Sequence, residues 1–212
     1  MTLNLSAHDV LTTTRAVRKR LDLERPVERE VLLECLQVAL QAPTGSNSQG
    51  WQWVFVEDPA KKKAIADLYG DTFDKYVGSA PVPYPDDDPR AAQRPRVTAS
   101  AIYLREHFHE VPVLLIPLLE GRPEGSRQSQ AGFWGSILPA VWSYMLALRA
   151  RGLGSAWTTL HLYHEREVAD LLGIPYDRYA QAGLFPIAYT KGTDFKPADR
   201  LPVDNVVHFD RW

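Results

Sequence analysis

The chain has 212 residues, of which 45% are hydrophobic and 24% charged, with 24 lysines and arginines against 26 aspartates and glutamates. That length buries a full core without disulfides, a single cysteine (Cys35) excludes an internal disulfide, and the near balance of charge gives no general attraction to nucleic acid or anionic lipid. The N-terminus has neither the basic nor the apolar region of a secretion signal, and no later stretch reads as a membrane span, so one cytoplasmic domain over residues 1–212 is expected.

Ser6 and Asp9 are spaced as a capping box, which predicts a short helix ending near Thr14. After Pro26, the residues Val31, Leu32, Cys35, Leu36, Ala39 and Leu40 recur at helical spacing and predict a helix over about 28–41, stopped by Pro43 and Gly45. The period then changes: residues 51–56 (WQWVFV) are β-branched and aromatic and read as a strand. Asp58-Pro59 opens a helix carrying Ile65 and Leu68 to a stop at Gly70. Residues 77–95, rich in proline and aspartate at their start, read as an exposed loop insertion overlapping the approach to a helix over about 97–109. The apolar run Val111 to Leu119 is short enough for a buried strand, and its two prolines suggest an edge or a terminus. Phe133 to Arg151 reads as one long helix bent at Pro139, with Gly152 beyond its end. The remainder predicts a strand over 155–159, a helix over 164–172 stopped by Gly173, a strand over 184–189 and an extended tail over 192–212. Strands isolated between helices indicate an α+β domain or a three-layer α/β/α arrangement.

Three separated segments combine unusual polar residues with backbone signals. In Arg15-Ala-Val-Arg18, two arginines three apart in a turning segment can present planar guanidinium forks to one phosphate; the alternative is a solvated basic cluster. The loop Ala42 to Trp51 (APTGSNSQGW) carries hydroxyls and amides suited to the edge of a flat heteroaromatic ligand; the alternative is an ordinary polar turn. A serine-nucleophile elbow at Ser48 lacks its first glycine and precedes its strand, where it should follow one. Arg200-Leu-Pro202 in the tail offers a third cation, or simply an exposed arginine. No histidine or cysteine spacing completes a metal site: His161 and His164 read as exposed or capping, Cys35 as a small core residue, and Lys61 to Lys63 as a solvated helix face.

Taken in order, Arg15-Ala-Val-Arg18, Pro26-Val27, Ala42 to Trp51, Gly152-Leu-Gly154, Leu171 to Pro175 and Arg200-Leu-Pro202 resemble the FMN-dependent nitroreductase family along nearly the whole chain. Ala16 stands where the family commonly has serine, Gly50 where it has proline, and the helix over 133–151 holds no asparagine. The resemblance implies a three-layer α/β/α fold with a central mixed sheet and a homodimer with two flavin sites at its interface. It also implies noncovalent FMN, reduced by NAD(P)H and reoxidised by a nitroaromatic, quinone or similar acceptor. Carried over by position, it implies cofactor contacts from Arg15, Ala16, Arg18 and Arg200 at the phosphate and ribityl chain. Pro43, Thr44, Gly45, Ser46, Asn47 and Gln49 would approach the ring from the partner subunit, and backbone amides of Thr158, Thr159 and Leu160 would lie by the reactive edge. The flavin would carry the chemistry, so no acid, base or nucleophile cluster is required. A flavin-sequestering protein without turnover, or a reductase using the deazaflavin F420, would keep the same fold.

Overall fold

The computed structural model describes residues 2–78, 84, 88, 90–123 and 125–212. Helix α1 (Ala7–Thr13) starts on the predicted capping box: Ser6 Oγ accepts from the amide of Asp9, whose carboxylate accepts from the amide of Ser6. Helix α2 (Arg29–Ala39) and strand β1 (Trp51–Val56) follow as the sequence predicts. Helix α3 (Pro59–Gly78) does not stop at Gly70. A β-carbon there would lie 2.9 Å from the guanidinium of Arg105 on the next helix, so the glycine sits inside α3 beneath that side chain and does not end the helix. That next helix, α4 (Arg94–His107), begins inside the expected loop insertion, as α3 ends inside it; most of the intervening positions lie outside the described residues.

Strand β2 (Val113–Glu120) occupies the centre of the sheet and not an edge, pairing with β1 on one side and with β4 (Tyr179–Gln181) and β5 (Phe185–Tyr189) on the other. Its Pro117 is tolerated because the carbonyl of Pro117 accepts from the amide of Ala182, which places its nitrogen on the same side, opposite the break between β4 and β5. The sheet order is β1-β2-β5-β3, where β3 is Leu153–Ser155. All its ladders are antiparallel, and the parallel component is a single bridge between Ala16 and Ser155.

The expected long helix over 133–151 is two: α5 (Arg127–Gly135) and α6 (Leu138–Ala150), broken at Ser136 and Ile137. Pro139 sits in the first turn of α6, where its missing N–H costs nothing, and bends no helix. By length and composition the stretch Arg127–Ala150 is apolar enough to cross a membrane, contrary to the sequence expectation, but the break divides it and Val141, Tyr144, Met145 and Leu148 are buried in the core. Helix α7 (Glu165–Leu172) ends at Gly173, which adopts the left-handed conformation at its C-cap.

The two faces of β2 separate two apolar layers. Leu114, Ile116 and Leu118 pack with Ile65, Tyr69 and Phe73 of α3, Leu104 of α4 and Val168 of α7. Val113, Leu115 and Leu119 pack with Leu32 and Cys35 of α2 and with Val141, Tyr144 and Met145 of α6. A strand covered on both sides reads as a continuous apolar run, as residues 113–119 do.

Candidate functional site

The segment leaving α1 runs along the outer edge of β3: the amide of Val17 donates to the carbonyl of Ser155 at 2.8 Å. Val17 fills the layer beneath, and its neighbours Arg15 and Arg18 are left half-buried at the sheet edge. Arg18 comes within 3.5 Å of Ser100 Oγ on α4, and its pKa is lowered chiefly by burial. Arg15 is lowered first by burial and then by the charges of Arg200 and Arg96, against the opposing pull of Asp199. Arg200 itself is exposed and donates only to the carbonyl of Asp199, at 3.3 Å. Among the described residues none of Arg15, Arg18, Arg96 and Arg200 is ion-paired with a carboxylate. Arg15 sits among the like charges of Arg200 and Arg96, and both Arg15 and Arg18 are partly desolvated; cations so placed without a carboxylate partner favour an anion. Ala16, exposed, contributes only its backbone bridge to Ser155.

The second segment lies elsewhere. Pro43 is exposed and Thr44 half-buried, and Gly45 to Asn47 form a single turn of 3-10 helix whose residues, with Ser48 and Gln49, are exposed. Ser46, Asn47 and Gln49 all have positive φ, at 52°, 54° and 51°. Non-glycine residues held there cost about 1 kcal/mol or more each. The loop is held by the helix break: the amide of Gly45 donates to Ser136 Oγ at 3.0 Å, and Trp51 Nε1 donates to the Ser136 carbonyl at 2.6 Å. Within it, Gln49 N donates to Thr44 Oγ1 and Gln49 Nε2 to Asn47 Oδ1.

One chain does not bring these two segments together. Ser155 aligns through Ile187 with Val113, whereas Trp51 aligns with Leu119. At the usual rise and strand spacing, that is about 20 Å along the strands and about 14 Å across the sheet.

The third segment continues from β3 along the same edge as the arginines. Thr158 is bound back to the sheet: its amide donates to the carbonyl of Leu184 at 3.1 Å, as does its hydroxyl at 2.6 Å. The Thr158 amide is therefore engaged within the chain. The amides of Thr159 and Leu160 have no partner among the described residues, and Thr159 is exposed.

Four buried polar residues near the site or in the core were missed or misread in the sequence. Arg149 on α6 is 5% exposed and Ser155 4%; Arg149 Nη1 and Ser155 Oγ are buried without a partner, and both residues line a small cavity with Thr14, Arg15, Val17 and Phe195. His161 is wholly buried, neither exposed nor capping, and burial pushes its pKa down to about 3. Gln181 lies beside it, yet neither ring nitrogen reaches hydrogen-bonding geometry. Lys62, expected on a solvated face, is buried and donates to the carbonyl of Val111 at 2.7 Å. The one signal for Arg149 was a charge within an otherwise apolar helical stretch.

The family model described as Nitroreductase family matches residues 11–189. An NADH dehydrogenase of Thermus thermophilus is 29% identical, over 93% of this chain and 96% of its own. An iodotyrosine deiodinase of Thermotoga neapolitana is 28% identical, over 93% and 94%. A crystal structure of an oxidised iodotyrosine deiodinase bound to FMN and 3-iodo-L-tyrosine superposes with a TM-score of 0.72 at 25% identity, covering 97% of this chain and 99% of that one. An FMN- and NADPH-dependent nitroreductase from Sphigopyxis sp. strain HMH shares the fold, with a TM-score of 0.70 at 22% identity over 98% of this chain and 100% of that one. The three-layer fold and a match spanning both the arginine segment and the polar loop have one reading: the chain belongs to the nitroreductase family.

Proposed function

We propose that this protein is an FMN-dependent NAD(P)H oxidoreductase that passes electrons to a nitroaromatic, quinone or similar small acceptor. The observation that carries the flavin assignment is Arg15 at the sheet edge beside the like charge of Arg200, with Arg18 half-buried three residues on, none of them paired with a carboxylate among the described residues. A dianionic phosphate fits this arrangement, and the unpartnered amides of Thr159 and Leu160 further along the same edge fit the acceptor atoms of a flavin ring. FMN, when bound, supplies the electron relay between a reduced nicotinamide and the acceptor.

The chain's own residues bind and orient. Arg15 and Arg200 neutralise the phosphate, and Arg18, braced against Ser100 and the core around Tyr69, holds the ribityl side. Burial pushes the Tyr69 phenol up to about 12, so it stays neutral at physiological pH. Pro43, Thr44, Gly45, Ser46, Asn47 and Gln49 of one chain serve the flavin of a second copy, because their own chain places them at the opposite corner of the sheet. Two flavin sites per homodimer follow.

The test is an absorbance spectrum of the purified protein. A yellow protein with about one FMN per chain, bleached anaerobically by NADH or NADPH, is expected. A colourless protein that takes up no added FMN overturns the reading.

A further inference from the structure

Among the described residues the tail makes no backbone–backbone hydrogen bond from Lys196 to Leu201, so the nearest fixed point upstream of Arg200 bears on its place. That fixed point is Phe195. Arg20, just past the phosphate-site arginines, has its guanidinium carbon 4.1 Å from the centroid of the Phe195 ring, and Arg149 from α6 has its own 5.0 Å from it. Both are within cation–π reach. The same two arginines hold the backbone before the ring. Arg20 Nε donates to the carbonyl of Lys191 at 2.9 Å, and Arg20 pairs with Asp194 at 2.6 Å. Arg149 Nη2 donates to the carbonyl of Thr193 at 3.0 Å.

Arg149 has no reason in its own helix to be buried. Its other protein acceptor is the hydroxyl of Thr13 at the end of α1, reached at 3.1 Å by Nη2. A guanidinium desolvated onto a hydroxyl, a carbonyl and an aromatic ring, with no carboxylate bonded to it, is costly unless it fixes something. What it joins is α1, which leads into Arg15, and the tail, which leads into Arg200.

We propose that Phe195, gripped by Arg20 and Arg149, is a positioning element that keeps Arg200 beside Arg15, so that Arg149 and Phe195 set the affinity for a flavin phosphate that neither touches. This rests on the flavin reading above and assigns a role to residues outside the site itself.

The experiment is a set of dissociation constants for FMN and for riboflavin, measured by flavin fluorescence on full-length wild type, Phe195→Ala, Arg149→Met, Arg200→Ala and the Phe195→Ala/Arg200→Ala double variant. Phe195→Ala and Arg149→Met are expected to weaken FMN about tenfold, the scale of one charge-assisted contact, and to leave riboflavin within twofold. In the Arg200→Ala background, Phe195→Ala is expected to add less than twofold; with Arg200 present, Phe195→Tyr, which keeps the ring, is expected to hold FMN affinity near wild type. Without any flavin, trypsin is expected to cut after Arg200, which Leu201 follows, faster in both clamp variants than in wild type. Equal losses for the two flavins, additive effects in the double variant or unchanged cleavage overturn the proposal. If Phe195→Ala does not fold, Phe195→Leu and Arg149→Met carry the same comparison. A wild type that binds neither flavin overturns the flavin reading, and this inference falls with it.

Discussion

Val17 and Gly154 meet so closely that a β-carbon on the glycine would lie 2.8 Å from the Cβ of Val17. The same carbon would lie 2.8 Å from Cγ2 of Thr190 on the other side. Since the Val17 amide anchors the arginine segment to β3, Gly154→Ala is expected to push that segment off the sheet edge. Overpacking of this kind costs roughly 1–3 kcal/mol. A lower urea midpoint together with weaker FMN binding is the expected outcome; unchanged stability and affinity would show that the segment follows the sheet by other means.

On the proposed phosphate contact, Arg200→Ala is expected to cost roughly 1.5–3 kcal/mol of FMN binding, about tenfold or more. Riboflavin, which lacks the phosphate, should bind the variant and wild type nearly equally. Isothermal titration with both ligands checks this, and a matching loss for riboflavin would place Arg200 elsewhere.

Sites shared between two chains can be complemented. If Arg18→Ala and Asn47→Ala are each inactive as homodimers, a mixed dimer collects both lesions in one site and neither in the other. About half the wild-type activity per mixed dimer is then expected. Doubly tagged dimers purified from co-expression and assayed for NAD(P)H-dependent quinone reduction decide the matter. Absence of any recovery in a dimer that holds FMN rules out the shared site.

His161 gives a pH signature. Its folded pKa, about 3, lies below the ordinary value of 6.5, because burial disfavours the cation. Between these values the unfolded chain binds the extra proton, so this group's contribution to stability is full above about pH 6.5 and falls with pH below it, by at most about 1.4 kcal/mol per pH unit. Denaturant melts from pH 7 to pH 4.5 should therefore be steeper in pH for wild type than for His161→Gln. Parallel curves would mean that the imidazole is not held neutral in the fold.

Much of the fold is legible wherever one local signal decides it. The Ser6–Asp9 box, the Trp51–Val56 strand and the Gly173 cap lie where pattern and chemistry put them. The misreadings are all tertiary. Gly70 looks like a stop until the Arg105 side chain is seen against it, and the break at Ser136 leaves an apolar pattern nearly uninterrupted because Pro139 and Ile137 suit a single bent helix as well as two. Strand β4 is three residues long, too short for any period to show, and exists because β2 offers it a free edge. In the site, Arg15 and Arg18 stand out by type and spacing, but whether they are solvated or half-buried depends on Val17 sinking into the core beside Ser155. Arg149 could be recognised only once α1 and the tail were found on either side of it.

Pro117 supplies no amide hydrogen to the strand beside it, and once the Ala182 amide has reached the Pro117 carbonyl the neighbouring chain leaves β2 until Phe185. The released residues turn outward, and Leu184 spends its own amide and carbonyl on Thr158, with N···O distances of 2.8 and 3.1 Å. That exchange fixes Thr158, whereas the amides of Thr159 and Leu160 just beyond it have no partner among the described residues. The gap opposite one imino acid in the middle of the sheet is thus where a strand turns to tie down a residue two strands away.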